Sequence, residues 1–156
     1  MFREMRRNDK AKTREEAEAI LKKCTNGVLS VSGDDDYPYG VPVSYTFHDN
    51  KIFIHGATVG HKLDSIRRNP KVCFTVVGAD NVPPDKFTTV YSSVICFGKA
   101  TIVEDREQKH AVLAGMVEKY HSQFREGGMK YIDAKIDGTT IIIIDVEHMT
   151  AKGLAK

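Results

Sequence analysis

The segment from Thr139 to Val146 contains four consecutive isoleucines, Ile141 to Ile144, and is strongly β-branched. β-Branched side chains favour extended backbone, so this segment is predicted to be a strand. Successive strand residues face opposite sides, and both faces of this strand must therefore be apolar. One face can fill the interior of a sheet protein. The other must be covered by a helix or by a second subunit, because an exposed apolar strip would invite aggregation.

Several further strands are predicted. Residues 39–47 alternate apolar and polar side chains with a period of two. Pro42 donates no backbone hydrogen bond, so this strand is interrupted there or runs at a sheet edge. Gly98 predicts a bulge or bend within the longest strand. The remaining predicted strands are 28–32, 51–55, 72–77 and 91–103.

Helices are predicted between these strands. Thr13 and Glu16 form a capping box, in which side chains satisfy the free N–H groups at the start of a first helix. A short second helix is predicted over 60–69, and apolar spacing within 113–120 indicates a third. Residues 121–138 show no clear pattern.

These elements predict a mainly β fold with flanking helices, an antiparallel barrel of about six strands formed by residues 1–156 as a single domain. No Gly-x-Gly-x-x-Gly follows a strand, which argues against a doubly wound dinucleotide fold. No apolar run approaches the roughly 20 residues of a membrane span. A formal net charge of +2 gives no electrostatic case for a nucleic-acid or membrane partner.

The amino-terminal residues are charged and lack an apolar signal core, so a cytoplasmic protein is expected. The three cysteines, Cys24, Cys73 and Cys96, are widely spaced and are interpreted as reduced thiols. The six histidines are scattered, so no metal site is expected.

The turn from His55 to Lys62 is the segment with the clearest chemistry. It joins a strand end to a helix start and contains Gly56 and Gly60, which let backbone N–H groups approach a ligand closely. A helix N-terminus favours anions, and His61 and Lys62 add donors near the same point. Phosphate binding and a plain connection both fit this pattern. His55 itself closes an apolar strand, where either a structural or a catalytic histidine fits.

Several sequence blocks, in this order along the chain, are similar to those of a known family. They are MFREMRR at 1–7, GVLS at 27–30, YPYGVPVSY at 37–45, FIHGA at 53–57, GHKLD at 60–64, RNP at 68–70, SVICFGKA at 93–100 and DVEHMTAK at 145–152. The chain resembles the pyridoxamine 5'-phosphate oxidase-like split barrels, and within them the NimA-like proteins named for 5-nitroimidazole resistance.

The resemblance implies a six-stranded antiparallel split barrel that forms a homodimer, with FMN held in two grooves at the subunit interface. The residues implied to contact the cofactor are Pro42, Val43, Ser44, Tyr45, His55, Gly56, Gly60, His61, Lys62 and Ser93. Residues 42–45 would run beside the isoalloxazine, and His55 and Gly56 would border the ribityl chain or the ring. Residues 60–62 would hold the phosphate. Ser93 would approach the flavin from the same or the other subunit.

The implied activity is that of an FMN-dependent oxidoreductase that reduces a small flat acceptor, such as a nitroimidazole-type compound. His55 would donate a hydrogen bond or proton to that acceptor. The oxidases bind pyridoxamine phosphate with an Arg-x-His-like pattern near the C-terminus, whereas residues 147–152 contain no arginine. A true pyridoxamine phosphate oxidase is therefore not expected. A non-catalytic flavin or haem carrier or sensor, a deazaflavin in place of FMN, and a module without cofactor remain alternatives.

Overall fold

The computed structural model describes residues 2–154 as one antiparallel seven-stranded sheet with four α-helices. The helices are α1 (Arg14–Lys23), α2 (His61–Arg68), α3 (Arg106–His121) and α4 (Arg125–Lys135). The strands are β1 (Asn26–Ser32), β2 (Pro38–Ser44), β3 (Thr46–His48), β4 (Lys51–Gly56), β5 (Lys71–Asn81), β6 (Val90–Val103) and β7 (Thr140–Gly153). Their order in the sheet is β2-β1-β5-β6-β7-β4-β3.

The sheet closes on itself at Tyr45. This residue alone separates β2 from β3, yet these strands are the two opposite edges of the sheet. Consecutive Cα atoms are only about 3.8 Å apart, so the two edges must meet and the sheet curls into a barrel. The predicted split barrel is confirmed. Its count of six strands is wrong, because the expected strand 39–47 breaks into two strands that pair with different neighbours.

The break at Tyr45 is stabilised from α3. The Tyr45 N–H donates to the Tyr120 hydroxyl at 3.2 Å, and that hydroxyl in turn contacts the Tyr45 carbonyl. Lys119 Nζ donates to the carbonyls of Tyr45 and Cys24 at 3.1 and 2.6 Å. The backbone groups that leave the sheet ladder at the corner are therefore all paired, as buried peptide groups require.

Local sequence signals account well for the first helix and the long strands. Thr13 and Glu16 form the predicted capping box at the start of α1. Pro42 lies in β2, an edge strand, as expected. The register of β6 against β7 shifts between Phe97 and Gly98, which confirms the predicted bulge. A β-carbon at position 98 would lie 2.2 Å from the Asp145 carbonyl oxygen, so only glycine fits there.

The isoleucine strand has different cover on its two faces. Ile142 and Ile144 belong to the core inside the barrel, together with Leu21 of α1 and Leu63 of α2. Ile141 and Ile143 belong to a second core. That core also contains Val103, Leu113, Met116, Val117, Ile132 and Ile136, most of them from α3 and α4. The chain's own helices therefore cover the outer face, and the isoleucine pattern is no argument for a second subunit.

Three segments differ from the sequence prediction. Residues 121–138, which showed no pattern, contain α4, whose pair of glycines weakens the helical signal. β5 runs to Asn81 and β7 to Gly153, both further than expected, because they pair with β6 along its length. Within residues 2–154 no helix is long and apolar enough to cross a membrane.

Candidate functional site

The turn between β4 and α2 has the features expected of an anion site. β4 ends at Gly56, residues 57–60 are exposed, and α2 begins at His61. Gly60 has φ +136°, a conformation that favours glycine. Leu63 and Ile66 are buried, and they fix the helix on the barrel. The N-terminus of α2 is therefore held rigidly at the end of β4.

The free donors at this turn come from backbone and side chain. The N–H groups of Leu63 and Asp64 bond to the Gly60 carbonyl at 3.0 and 3.2 Å. The N–H groups of His61 and Lys62 lie in the first turn of α2, where no helical carbonyl stands four residues earlier. Within the described part of the chain they have no hydrogen-bond partner. Unpaired N–H groups and the helix dipole together favour an anion at this position.

The Lys62 side chain lies back over Gly56. A β-carbon at position 56 would be 3.3 Å from both Cε and Nζ of Lys62. The ion pairs around α2 join Asp34 and Asp64 to His61, Arg67 and Arg68, and none in residues 2–154 involves Lys62. Its ammonium is therefore an uncompensated positive charge beside the free N–H groups.

His61 is directed away from Lys62. Its ring stacks on Tyr39 with centroids 4.2 Å apart, and its Nε2 lies 3.6 Å from an Asp34 carboxylate oxygen. Arg68 holds the same aspartate at 3.1 Å and donates to the carbonyls of Ser32 and Gly33. These contacts fix α2 against the turn between β1 and β2. Of the two predicted donors His61 and Lys62, only the Lys62 side chain is therefore free for a ligand among the described residues.

The strand residues that the resemblance implies as cofactor contacts lie on two opposite faces of β2, because side chains alternate along a strand. Pro42 and Ser44 are exposed, whereas Val43 packs towards the barrel core. Tyr45 is 0 % exposed, and its hydroxyl donates to the Leu21 carbonyl at 2.7 Å. The Tyr45 side chain is therefore part of the core of this chain, and the expected contact of residue 45 with the cofactor stays a prediction. Desolvation raises the pKa of this phenol, which remains a neutral core group.

His55 and Ser44 line one cavity of about 600 Å³ between the sheet and the helices α3 and α4. His55 is an exposed residue, but the atoms around its ring partly desolvate it, which lowers its pKa below 6.5, and the charge of Lys62 lowers it further. Part of the ring surface still reaches solvent. A neutral imidazole beside an ammonium can donate or accept a hydrogen bond at neutral pH.

Ser93 is not part of this cluster. His55 pairs with Ile141 and Ile141 with Val103, whereas Ser93 lies about ten residues earlier on β6. At about 3.3 Å per residue, the two positions are roughly 30 Å apart along the strand. Ser93 instead lines a small pocket of about 170 Å³ with Arg3, Phe97 and His148. The predicted site residues that lie close together within one described chain are therefore those of β2, β4 and the start of α2.

The aromatic wall of the 600 Å³ cavity was missed by sequence reasoning. It includes Tyr120 of α3, Tyr131 of α4 and Phe124 from the turn between them, together with Met116 and Ile132. The segment 121–138 had no helical pattern, so nothing placed these side chains opposite His55. Within residues 2–154 no three His, Cys, Asp or Glu side chains come together as metal ligands.

The comparison with family models decides the affiliation. The model described as pyridoxamine 5'-phosphate oxidase matches residues 13–153, nearly the whole chain. The chain belongs to the pyridoxamine 5'-phosphate oxidase family. This confirms the resemblance read from the sequence blocks. No curated protein matches the sequence.

Several solved structures share the fold at low identity. A protein from Bacteroides thetaiotaomicron, proposed to confer 5-nitroimidazole antibiotic resistance, superposes with a TM-score of 0.78 at 22 % identity, covering 90 % of this chain and 84 % of its own. A conserved hypothetical protein from Mycobacterium tuberculosis gives 0.81 at 20 % identity over 97 % and 91 %. An FAD- and heme-binding protein from Mycobacterium smegmatis gives 0.73 at 16 % over 92 % and 73 %.

Proposed function

We propose that this chain is a flavoprotein that binds FMN and reduces small flat acceptors such as nitroimidazole-type compounds. The observation that carries the proposal is the position of Lys62, an ammonium without an acidic partner in residues 2–154 that lies over Gly56 beside the N-terminus of α2. A dianionic phosphate is the ligand that such a group of donors suits best.

The residues present fit a flavin phosphate. Gly60 opens the backbone of the turn, and the N–H groups of His61 and Lys62 have no acceptor among the described residues. Lys62 adds a charge-assisted bond, and any side chain at position 56 would press on its amine. One compact cradle of this kind suits the phosphate attached to the ribityl chain, which FMN carries and riboflavin lacks.

The family relatives support a flavin rather than another phosphate ligand. The Mycobacterium smegmatis protein of the same fold is described as binding FAD and heme. The family model that covers residues 13–153 is named for an oxidase. FAD also carries a phosphate at the equivalent place on its flavin half, so the chain is expected to accept FMN and FAD alike and riboflavin poorly.

A bound flavin would supply two-electron transfer between a reduced nicotinamide and the acceptor. The protein's contribution is orientation and hydrogen bonding. Pro42 and Ser44 offer an exposed strand surface on β2 for the ring. His55 lines the adjoining cavity with a depressed pKa, so at neutral pH its imidazole is neutral and can donate one hydrogen bond to an acceptor oxygen.

The nitroimidazole class of acceptor is suggested by the Bacteroides thetaiotaomicron relative. Pyridoxamine phosphate is not proposed as the substrate. The C-terminal part of β7 offers His148, whose ring stacks on Phe2 with centroids 4.7 Å apart, and residues 147–152 contain no arginine.

We also propose that the chain acts as a homodimer. Ser93 lies roughly 30 Å along the strand from the His55 register, so it can meet the same flavin only from a second subunit. Val77 and Phe97, on the outer side of β5 and β6, are 61 % and 38 % exposed, and a two-fold contact would cover them. Light scattering of the purified protein is expected to give the mass of two chains. A monomer that retains one FMN per chain would contradict the shared site.

The visible spectrum of the freshly purified protein tests the flavin directly. Absorption of an oxidised flavin, with FMN released on denaturation, is the expected result. A colourless protein that takes up neither FMN nor FAD would contradict the proposal. Turnover of a nitroimidazole with reduced nicotinamide, above the rate with free FMN, is expected to follow. Bound flavin without such turnover would leave a carrier or sensor as the function.

A further inference from the structure

The cavity between the helices and the sheet extends well beyond the residues that face the proposed flavin. It has a volume of about 600 Å³. Its lining is mostly apolar or aromatic, with Val117, Phe124 and Tyr131 among these side chains, and its polar groups include Ser44, His55 and Lys135. Cavities of this size and character are typical of small-molecule sites.

Two adjacent glycines of α4 shape this cavity. A β-carbon at Gly128 would lie 2.7 Å from a Val117 methyl group, so α4 approaches α3 closely there. A β-carbon at Gly127 would have no atom within 4 Å, and this glycine lines the cavity. The cavity is therefore open at Gly127, and a side chain at this position would have room to enter it.

The cavity retains exposed aromatic rings. Phe124 is 72 % exposed and Tyr131 is 68 % exposed. Large aromatic side chains are seldom left exposed unless they meet a ligand or a partner, because their faces gain most from contact with apolar surface. Both rings belong to the same concave wall, so one bound molecule could cover them together.

The charge of the lining selects the class of molecule. The lining contains no carboxylate. Lys135 contributes a positive charge and has no ion-pair partner among residues 2–154. The positive charge of Lys135 would weaken the binding of a cation between the aromatic rings, and it would strengthen the binding of an anion or an electron-rich oxygen.

We propose that this cavity is the acceptor site, and that it binds flat aromatic molecules that are neutral or negatively charged and excludes cations. The inference rests on the proposed function in one respect only, because the cavity shares His55 and Ser44 with the proposed flavin surface. The binding itself is independent of any turnover.

A charge series of redox-inactive naphthalenes tests the site by calorimetry on the protein as purified. The probes are 2-naphthoate, 2-naphthamide and 2-naphthylmethylamine, which is protonated at neutral pH. Naphthoate and naphthamide are expected to bind at least roughly tenfold more tightly than the amine. The Lys135→Gln variant should lower the affinity for naphthoate and leave that for naphthamide unchanged. Tightest binding of the amine would overturn the proposal.

A matched pair of glycine variants locates the binding. Gly127→Leu should fill the cavity and weaken naphthamide roughly tenfold or more. Gly115→Leu is the control: Gly115 lies in α3, also has no atom within 4 Å of a β-carbon, and lines the separate groove beside Phe47 and Lys119. Both variants add the same side chain to a helix and are expected to stay folded. Equal losses, or no loss in Gly127→Leu, would overturn the assignment.

Flavin content separates this inference from the proposed function. Naphthamide is expected to bind with the flavin still in place, as read from its absorbance. Release of flavin by naphthamide would overturn the inference, because the cavity would then be part of the flavin site. A protein that holds no flavin but binds naphthamide through Gly127 would contradict the proposed function and support the cavity as a site for flat aromatic molecules.

Discussion

The amine of Lys62 lies 3.3 Å from the point where a β-carbon on Gly56 would stand. The end of β4 and the first turn of α2 are thereby brought into one contact, and a side chain at position 56 would shift the Lys62 amine from this position. The ammonium, two free N–H groups and two glycines together make up the proposed phosphate cradle.

Replacement of Lys62 is expected to weaken FMN selectively. A hydrogen bond to a charged group contributes about 1.5–3 kcal/mol, so Lys62→Ala should lower FMN affinity roughly tenfold to a hundredfold. Lys71→Ala is the control, because Lys71 is an exposed lysine at the start of β5 that lines a different cavity. Calorimetric titration of both variants measures the difference. Equal small losses would mean that the turn is only a connection.

His55 is expected to titrate below its ordinary pKa of 6.5, because partial desolvation of the ring disfavours the charged form and Lys62 repels it. Its protonation is therefore easier in the unfolded chain, so its contribution to stability is complete above about pH 6.5 and is lost as the pH falls. Proton NMR of the His55 ring checks the value. Lys62→Met should raise the pKa of His55 only partly, because the larger effect of desolvation remains. Bound FMN should also raise this pKa, because its phosphate is negatively charged. An unchanged pKa in Lys62→Met would place the lysine elsewhere.

Tyr45→Phe is expected to destabilise the fold without affecting flavin binding. The Tyr45 hydroxyl donates to the Leu21 carbonyl, one of the last four carbonyls of α1, and the pair is buried. Its loss should cost about 1–2 kcal/mol in the free energy of unfolding. Urea denaturation gives the cost and calorimetry gives the FMN affinity. A large loss of FMN affinity in a folded Tyr45→Phe variant would contradict this prediction, because it would show that the Tyr45 hydroxyl contributes to flavin binding.

Tyr120→Phe should destabilise the corner where the barrel closes. The Tyr120 hydroxyl accepts from the Tyr45 N–H and lies 3.0 Å from the Thr25 carbonyl. Without it these backbone groups lose a partner, at a cost of about 1–3 kcal/mol. Tyr131→Phe on the exposed side of α4 is the matched control and should change stability little. Equal denaturation midpoints for the two variants would contradict this role.

Local patterns predicted the parts of the fold that depend on neighbours in sequence. The Thr13–Glu16 box and the Gly98 bulge need only a few residues to form, and both are present. The break at Tyr45 could not be predicted, because the chain turns there only when Tyr120 and Lys119, some 75 residues away, satisfy its backbone. The sequence did not decide whether a helix or a second subunit covers Ile141 and Ile143. In the structure α3 and α4 cover them.

The candidate site was predicted in the same uneven way. The phosphate turn is one continuous segment, so its glycines and Lys62 could be recognised together. The direction of His61 towards Tyr39 and Asp34 depends on the β1–β2 turn, which no spacing rule connects with α2. The aromatic wall opposite His55 depends on how α4 packs, and the Gly127–Gly128 pair concealed that helix.

The ratio of FMN affinity to riboflavin affinity tests the central claim most directly, because the two ligands differ only in the phosphate. Calorimetric titration of the flavin-free protein with each ligand gives the ratio. The Lys62 cradle predicts that FMN binds at least roughly tenfold more tightly than riboflavin. Equal affinities would show that the turn at the start of α2 holds no phosphate and would contradict the account.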